Sequence, residues 1–272
     1  MTLITPPGSD RTAYDRVGPA DGEVVILIHG LGLSRAIWQP FIDHFGSRYQ
    51  VIAYDLYGHG ESQPAPATPS LGLFARQIVD LMDHCEVESA HMIGFSIGGM
   101  INRRLAMDHP DRCRSLAILN SPHDRGVDGQ KQVEDRAMTV RDDGKMATLA
   151  AALERWFTPA FRADHPETVD QVRQWREITD DESYAGAAWV LAHGVRELIR
   201  PKPPLALPTC VITASHDTGS TPAMAEQIAA EIEGAACHII PGLQHLGLME
   251  RPDLYQVLLD EFLNRLDERM KA

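Results

Sequence analysis

Six short apolar runs rich in Val and Ile recur along the 272-residue chain, and segments with apolar residues three or four apart lie between them. The runs are "EVVILIHG" (Glu23–Gly30), "YQVIAYD" (Tyr49–Asp55), "AHMIGF" (Ala90–Phe95), "RSLAILN" (Arg114–Asn120), "TCVITA" (Thr209–Ala214) and "ACHII" (Ala236–Ile240). Near-continuous apolarity in so short a run fits a strand buried on both faces, as in a parallel sheet. Leu71, Phe74, Ile78, Leu81 and Cys85 share one helical stripe, and so do Leu254, Leu258, Phe262 and Leu266. Strand and helix in alternation predict an α/β fold with a doubly wound, mostly parallel sheet. An edge hairpin is expected within residues 1–20, around Thr12–Tyr14.

The alternation stops between residues 121 and 208, where helical patterns dominate and a proline-rich "RPKPPLALP" returns the chain to the sheet. This interval reads as a helical cap, leaving 1–120 and 209–272 as the core. It holds three of the four tryptophans (Trp156, Trp175, Trp189) together with Phe157 and Phe161. Most of these aromatics are expected to form the small core of the insertion, with Trp156, Phe157 and Trp189 as candidate substrate contacts.

Gly94-Phe95-Ser96-Ile97-Gly98 lies where the run "AHMIGF" meets a helical pattern. A strand that turns sharply into a helix forces the residue between them into a strained conformation with its side chain standing proud. Side chains two positions before and after would collide with neighbouring elements, which suits glycine. The helix start also directs unpaired N–H groups and a positive dipole end towards the serine. Such groups stabilise a developing oxyanion.

A serine hydroxyl needs a general base, itself held by an acid. His245 in "GLQHLGLMERPD" follows the last run, and Asp217 in "ASHDTGSTP" follows the one before it. Both loops fall at the carboxyl edge of a parallel sheet, where ligand sites of open α/β sheets gather. The order Ser96, Asp217, His245 matches the order this architecture uses. His216 beside the acid is read as structural. The loop after the first run supplies a second oxyanion donor, so the N–H groups of Leu31 and Ile97 are the expected pair. His29 and His59 are read as loop-stabilising residues.

Together, "LIHGLG", "YDLYGHGES", "GFSIGGM", "ASHDTGSTP" and "QHLGLMERPD" resemble the α/β-hydrolase superfamily over nearly the whole chain. "RWFTPAF" (Arg155–Phe161) and "DDESYAGAA" look like its 3-oxoadipate enol-lactonase branch. The resemblance implies the α/β-hydrolase fold, a Ser-Asp-His hydrolase of a carboxylic ester or lactone, and no cofactor. An enol-lactone substrate would carry a carboxylate, for which Arg125, Arg155 and Arg196 are candidates. Haloalkane dehalogenases and epoxide hydrolases use an aspartate where Ser96 stands. Two alternatives stay open: C–C bond hydrolysis of β-diketone or dienone substrates, and a non-catalytic receptor of the same fold.

A net charge of −13 argues against nucleic acid and anionic membranes as partners. The partner is a small-molecule substrate, and the oligomeric state is not readable. No metal-ligand spacing is visible. Cys85, Cys113, Cys210 and Cys237 are far apart, and the first residues lack a basic, apolar leader. Reduced thiols and a cytoplasmic location are expected.

Overall fold

Strand β1 (Tyr14–Val17) pairs antiparallel with β3 (Gln50–Tyr54), which lies between it and β2 (Val24–Ile28). The remaining strands, β4 (Ala90–Phe95), β5 (Cys113–Leu119), β6 (Thr209–Ala214) and β7 (Ala236–Ile240), extend the sheet on the other side of β2. The seven run in the order β1-β3-β2-β4-β5-β6-β7, and β2 to β7 are parallel. This is the doubly wound architecture expected from the alternation. The computed structural model describes residues 12–271, and side chains to 266. The expected hairpin is not seen among them, because β1 crosses to β3 instead of pairing with its successor. The rest of that expectation lies in residues 1–11, outside the described residues.

Side chains alternate across a strand, and here the alternation feeds two helical layers. Ile26 and Ile28 of β2 join a cluster with α2 (Leu71–His84), α3 (Ile97–Asp108) and α9 (Pro222–Ala230). Val25 and Leu27 face the opposite way, towards α1 (Gln39–Phe45), α10 (Gly247–Glu250) and α11 (Pro252–Lys271). Full burial of such a side chain is worth about 1.5–3 kcal/mol, which is why the apolar runs become the central strands. Strand β7 departs from the expectation of burial on both faces. It is an edge strand, most of it is half-buried, and Ile239 is exposed.

Between β5 and β6 the chain forms α4 (Gly126–Asp143), α5 (Leu149–Trp156), α6 (Pro159–Asp164), α7 (Pro166–Ile178) and α8 (Asp181–His193), with no strand. Thr158 and Asp180 start α6 and α8 by accepting the backbone N–H groups of Phe161 and Ser183. The aromatics of this interval do not form a core of their own. Phe157 is fully buried with Leu149, Leu153 and Val172 in the same cluster as the sheet residues Phe95 and Ile212, and Trp156, Phe161 and Trp175 pack against that cluster. The apolar side of α5 and α7 is therefore continuous with the sheet's own core.

The strand order reverses between β2 and β4, which pair through Ile28 and Gly94 at their carboxyl ends. Connections leave these two strands towards opposite sides of the sheet, and the crevice that opens there is where open α/β folds bind ligands. No helix among the described residues is long and apolar enough to cross a membrane.

Candidate active site

One residue separates β4 from α3, and that residue is Ser96. Its backbone sits at φ 58°, ψ −116°, a region that costs a non-glycine residue about 1–3 kcal/mol. Two bonds hold it: Ser96 N–H donates to Leu119 O of β5 at 2.8 Å, and Gly99 N–H donates to Ser96 O at 3.0 Å. The flanking glycines have specific reasons. A Cβ on Gly94 would lie 2.2 Å from Gly98 O, and one on Gly98 would lie 2.3 Å from Ile28 O of β2. The motif is thus required by how tightly this turn is wound against β2.

His245 and Asp217 reach this serine from the loops after β7 and β6. His245 Nε2 is 3.2 Å from Ser96 Oγ, and Nδ1 is 2.7 Å from Asp217 Oδ2. Asp217 is almost wholly buried, and both its oxygens are saturated. Oδ1 accepts the N–H groups of Gly219 and Ser220, each at 2.9 Å. Oδ2 accepts Asn120 Nδ2–H at 2.9 Å besides facing His245. Burial alone would raise the Asp217 pKa, but the His245 ring, the Asn120 amide and the Ser220 N–H outweigh it and hold the carboxyl below its ordinary value.

Asn120 and Tyr255 were not singled out by sequence. Asn120 caps β5 at φ 46°, a conformation that asparagine tolerates better than most residues. Its Oδ1 accepts Tyr255 O–H at 3.0 Å, and burial pushes the Tyr255 phenol up so that it stays a donor. Both are fully buried. The pairing of Leu119 with Ile212 across β5 and β6 is what brings Asn120 beside Asp217, 97 positions later. His216 is exposed, and its N–H bonds to Leu243 O.

Ile97 follows Ser96 as the first residue of α3, and Leu31, in the loop after β2, lines the same cavity as Ser96. Beneath the Leu31 loop, buried His29 donates from Nδ1 to Gly30 O (2.7 Å) and accepts Leu56 N–H at Nε2 (3.0 Å). Its ring lies 5.4 Å from that of His59, which bonds Tyr57 O at 3.0 Å. Burial pushes the His29 pKa down to about 4. His59 falls to about 3 through burial and then the neighbouring His29. The native fold therefore refuses protons that an unfolded histidine takes up below pH 6.5. Stability is fully present above that pH and is lost as the pH falls towards about 4 for His29 and about 3 for His59. The two histidines account for at most about 3 and about 5 kcal/mol respectively. Urea unfolding at pH 7.5 and 4.5 should show this loss, with a smaller loss in His59→Gln; equal losses would refute the assignment.

Ser96 and His245 open into a cavity of about 940 Å³, counting its mouth. Of the expected substrate contacts, only Trp156 lines it, with its ring 6.2 Å from that of His245. Phe157 does not: it turns into the sheet core and stacks on Phe161, ring centroids 5.3 Å apart. Trp189 does not either. It is 43 % exposed and packs on His193 at 4.0 Å with Arg141 above it. Arg125 and Arg155 line the cavity as expected, whereas Arg196 lies outside and pairs with Glu134 at 3.1 Å. Arg136 and Arg176 also line it and were missed. Their signal was present: Val133, Arg136, Ala137 and Val140 share one helical stripe, as do Val169, Val172 and Arg176.

Residues 23–252 match the family model described as the alpha/beta hydrolase fold. The chain is 27% identical to 3-oxoadipate enol-lactonase 2 of Acinetobacter baylyi over 255 residues, 93% of each chain. It is 25% identical to the (E)-2-((N-methylformamido)methylene)succinate hydrolase of the same organism, over 90% of this chain and 91% of that one. Among solved structures, the enol-lactonase from Burkholderia xenovorans superposes with a TM-score of 0.87 at 26% identity, covering 97% of this chain and all of the other. With a family match across most of its length on a sheet of the same architecture, the chain belongs to the α/β-hydrolase fold family and is a hydrolase.

Proposed function

We propose that this hydrolase opens a small carboxylic ester or lactone through an acyl-enzyme on Ser96. The observation that carries the reading is the unbroken line of bonds from Ser96 Oγ through His245 to a buried, fully hydrogen-bonded Asp217. With its Nδ1 proton directed at Asp217, His245 presents Nε2 as the acceptor of the serine proton. Ser96 then attacks the carbonyl carbon, and the oxyanion is held by the N–H groups of Leu31 and Ile97. Asp217 steadies the imidazolium. Protonated His245 next delivers its proton to the departing alkoxide or enolate oxygen, and water activated by His245 releases the acid. The enol-lactonases among the relatives favour a lactone. In this reading residues 121–208 cap a core of 1–120 and 209–272, and no cofactor takes part.

An aryl fluorophosphonate tests the reading directly, because its phosphorus reacts with an activated serine and expels fluoride. The expected result is one adduct, mapped by peptide mass to Ser96 and absent from Ser96→Ala. A folded protein that gives no adduct, or one on another residue, would sink the proposal.

A further inference from the structure

Acidic residues outnumber basic ones in this chain, 38 to 25, and many arginines on its outer surface are ion-paired. Arg35, Arg48, Arg104, Arg112, Arg114 and Arg251 each meet a carboxylate. Four others line the cavity that holds Ser96. Arg125 precedes α4, Arg136 lies in α4, Arg155 in α5 and Arg176 in α7. Among the described residues none of them has an ion pair. Arg125 donates to Leu191 O at 2.9 Å and Gln130 Oε1 at 3.3 Å, and Arg155 to Ala151 O at 2.8 Å. Arg176 is 1 % exposed, bonds Thr148 Oγ1, lies 4.6 Å over the Tyr184 ring, and leaves its Nε without a partner.

These are neutral partners for four charges, and the charges sense one another. Burial lowers the pKa of all four guanidiniums. Arg136 then pushes Arg125 down, Arg155 does the same to Arg136, and Arg155 to Arg176. The one carboxylate on the cavity wall among the described residues, Asp217, is already saturated by His245, Asn120, Gly219 and Ser220. Partly buried cations with no carboxylate in contact lose hydration for little Coulomb energy in return; Glu134 and Glu154 steady Arg125 and Arg155 only from a distance, and a row of cations adds repulsion. An apolar residue would fill the same space at less cost. A fork of N–H donors matches a carboxylate well, but one carboxylate meets one fork or bridges two, so it leaves part of the row unpaired. The row also makes a local positive well in a chain of net charge −13, which draws in an anion that the rest of the surface repels.

We infer that the cavity is built for a substrate bearing at least two carboxylates besides the carbonyl that Ser96 attacks. The arginines of residues 121–208 hold the carboxylates while the serine side holds the scissile group. This rests on the serine-hydrolase reading and adds a substrate class to it.

Three ethyl esters that differ in charge test the inference by pH-stat: ethyl butyrate (neutral), monoethyl glutarate (one carboxylate) and the 1-ethyl ester of tricarballylic acid (two). The expected result is a kcat/KM that rises about tenfold per carboxylate, within the reach of charge-assisted hydrogen bonds. Arg136→Gln and Arg155→Gln should each lower the ratio of dianionic to neutral kcat/KM at least about tenfold, whereas Arg76→Gln on the outer face of α2 leaves it unchanged. A neutral ester processed as well as the dianionic one would overturn the inference and leave the hydrolase reading intact. A second readout needs no turnover: calorimetric titration of Ser96→Ala with tricarballylate, butyrate and inorganic phosphate. Tricarballylate should bind most tightly and lose affinity in the added Arg136→Gln background. Phosphate binding as tightly would overturn the carboxylate assignment. Binding of tricarballylate by a protein that cleaves none of the esters would instead support the anion site and count against the hydrolase reading.

Discussion

Ser96→Ala should lower kcat on any cleaved ester by about 10⁴- to 10⁶-fold while leaving the fold intact. The size follows from what is removed. Without Oγ, His245 Nε2 has no proton to take, so the acyl-enzyme route closes. What remains is direct attack by water, helped only by binding and by the N–H groups of Leu31 and Ile97, about 10³-fold over solution. The fold should be indifferent because alanine has the same Cβ as serine and meets the same strain at φ 58°. Ser96 accepts and donates its structural bonds through the backbone, to Leu119 O and from Gly99 N–H, and these survive. Ser96→Gly separates strain from chemistry. It should be equally inactive yet more stable by about 1 kcal/mol, since glycine adopts positive φ without penalty. Kinetics with calorimetric melting of both variants checks the pair; an active Ser96→Ala would remove the basis of the proposed mechanism.

How far this site could be read from sequence depended on how local each signal is. Strands β2 to β6 were legible because burial on both faces writes itself into consecutive residues. β7 carries the same kind of run, but its edge position shows only in the sheet order. Gly94, Ser96 and Gly98 were legible because one turn imposes all three. Asp217 and His245 were legible by position, each following a recognisable strand. Asn120 was not, since its role exists only where β5 lies beside β6. Trp156 and Phe157 show the limit most plainly. They are adjacent, but Trp156 ends α5 while Phe157 leaves it in an extended conformation at φ −116°, ψ 142°, and one faces the cavity while the other faces the sheet core. Composition cannot say which. The arginines were half-legible: an arginine on an apolar helical stripe, such as Arg136 between Val133 and Val140, marks an inward-facing charge, but only packing shows that four of them meet.

Asp217→Asn should lower kcat by about 10⁴-fold, nearly as much as losing the serine, although it changes one atom. The surrounding donors explain why. Oδ1 of Asp217 is fixed by the N–H groups of Gly219 and Ser220, so an asparagine there must place its carbonyl on that side. Its NH₂ group then occupies the Oδ2 position, facing Asn120 Nδ2 and His245 Nδ1. A donor in that place forces Nδ1 of His245 to accept, which moves the ring proton to Nε2 and leaves nothing to receive the proton of Ser96. Asn120 could relieve its clash by turning its amide, because Tyr255 O–H, now the donor to Asn120 Oδ1, can accept instead. The fold therefore tolerates the change while the chemistry does not. Asn120→Ala in the native background should be milder, about ten- to a hundredfold, because Asp217 keeps three of its four donors. Fluorophosphonate labelling rates for Asp217→Asn, Asn120→Ala and Tyr255→Phe should fall in that order of severity. Labelling of Asp217→Asn at the wild-type rate would show that the imidazole is not oriented from that side.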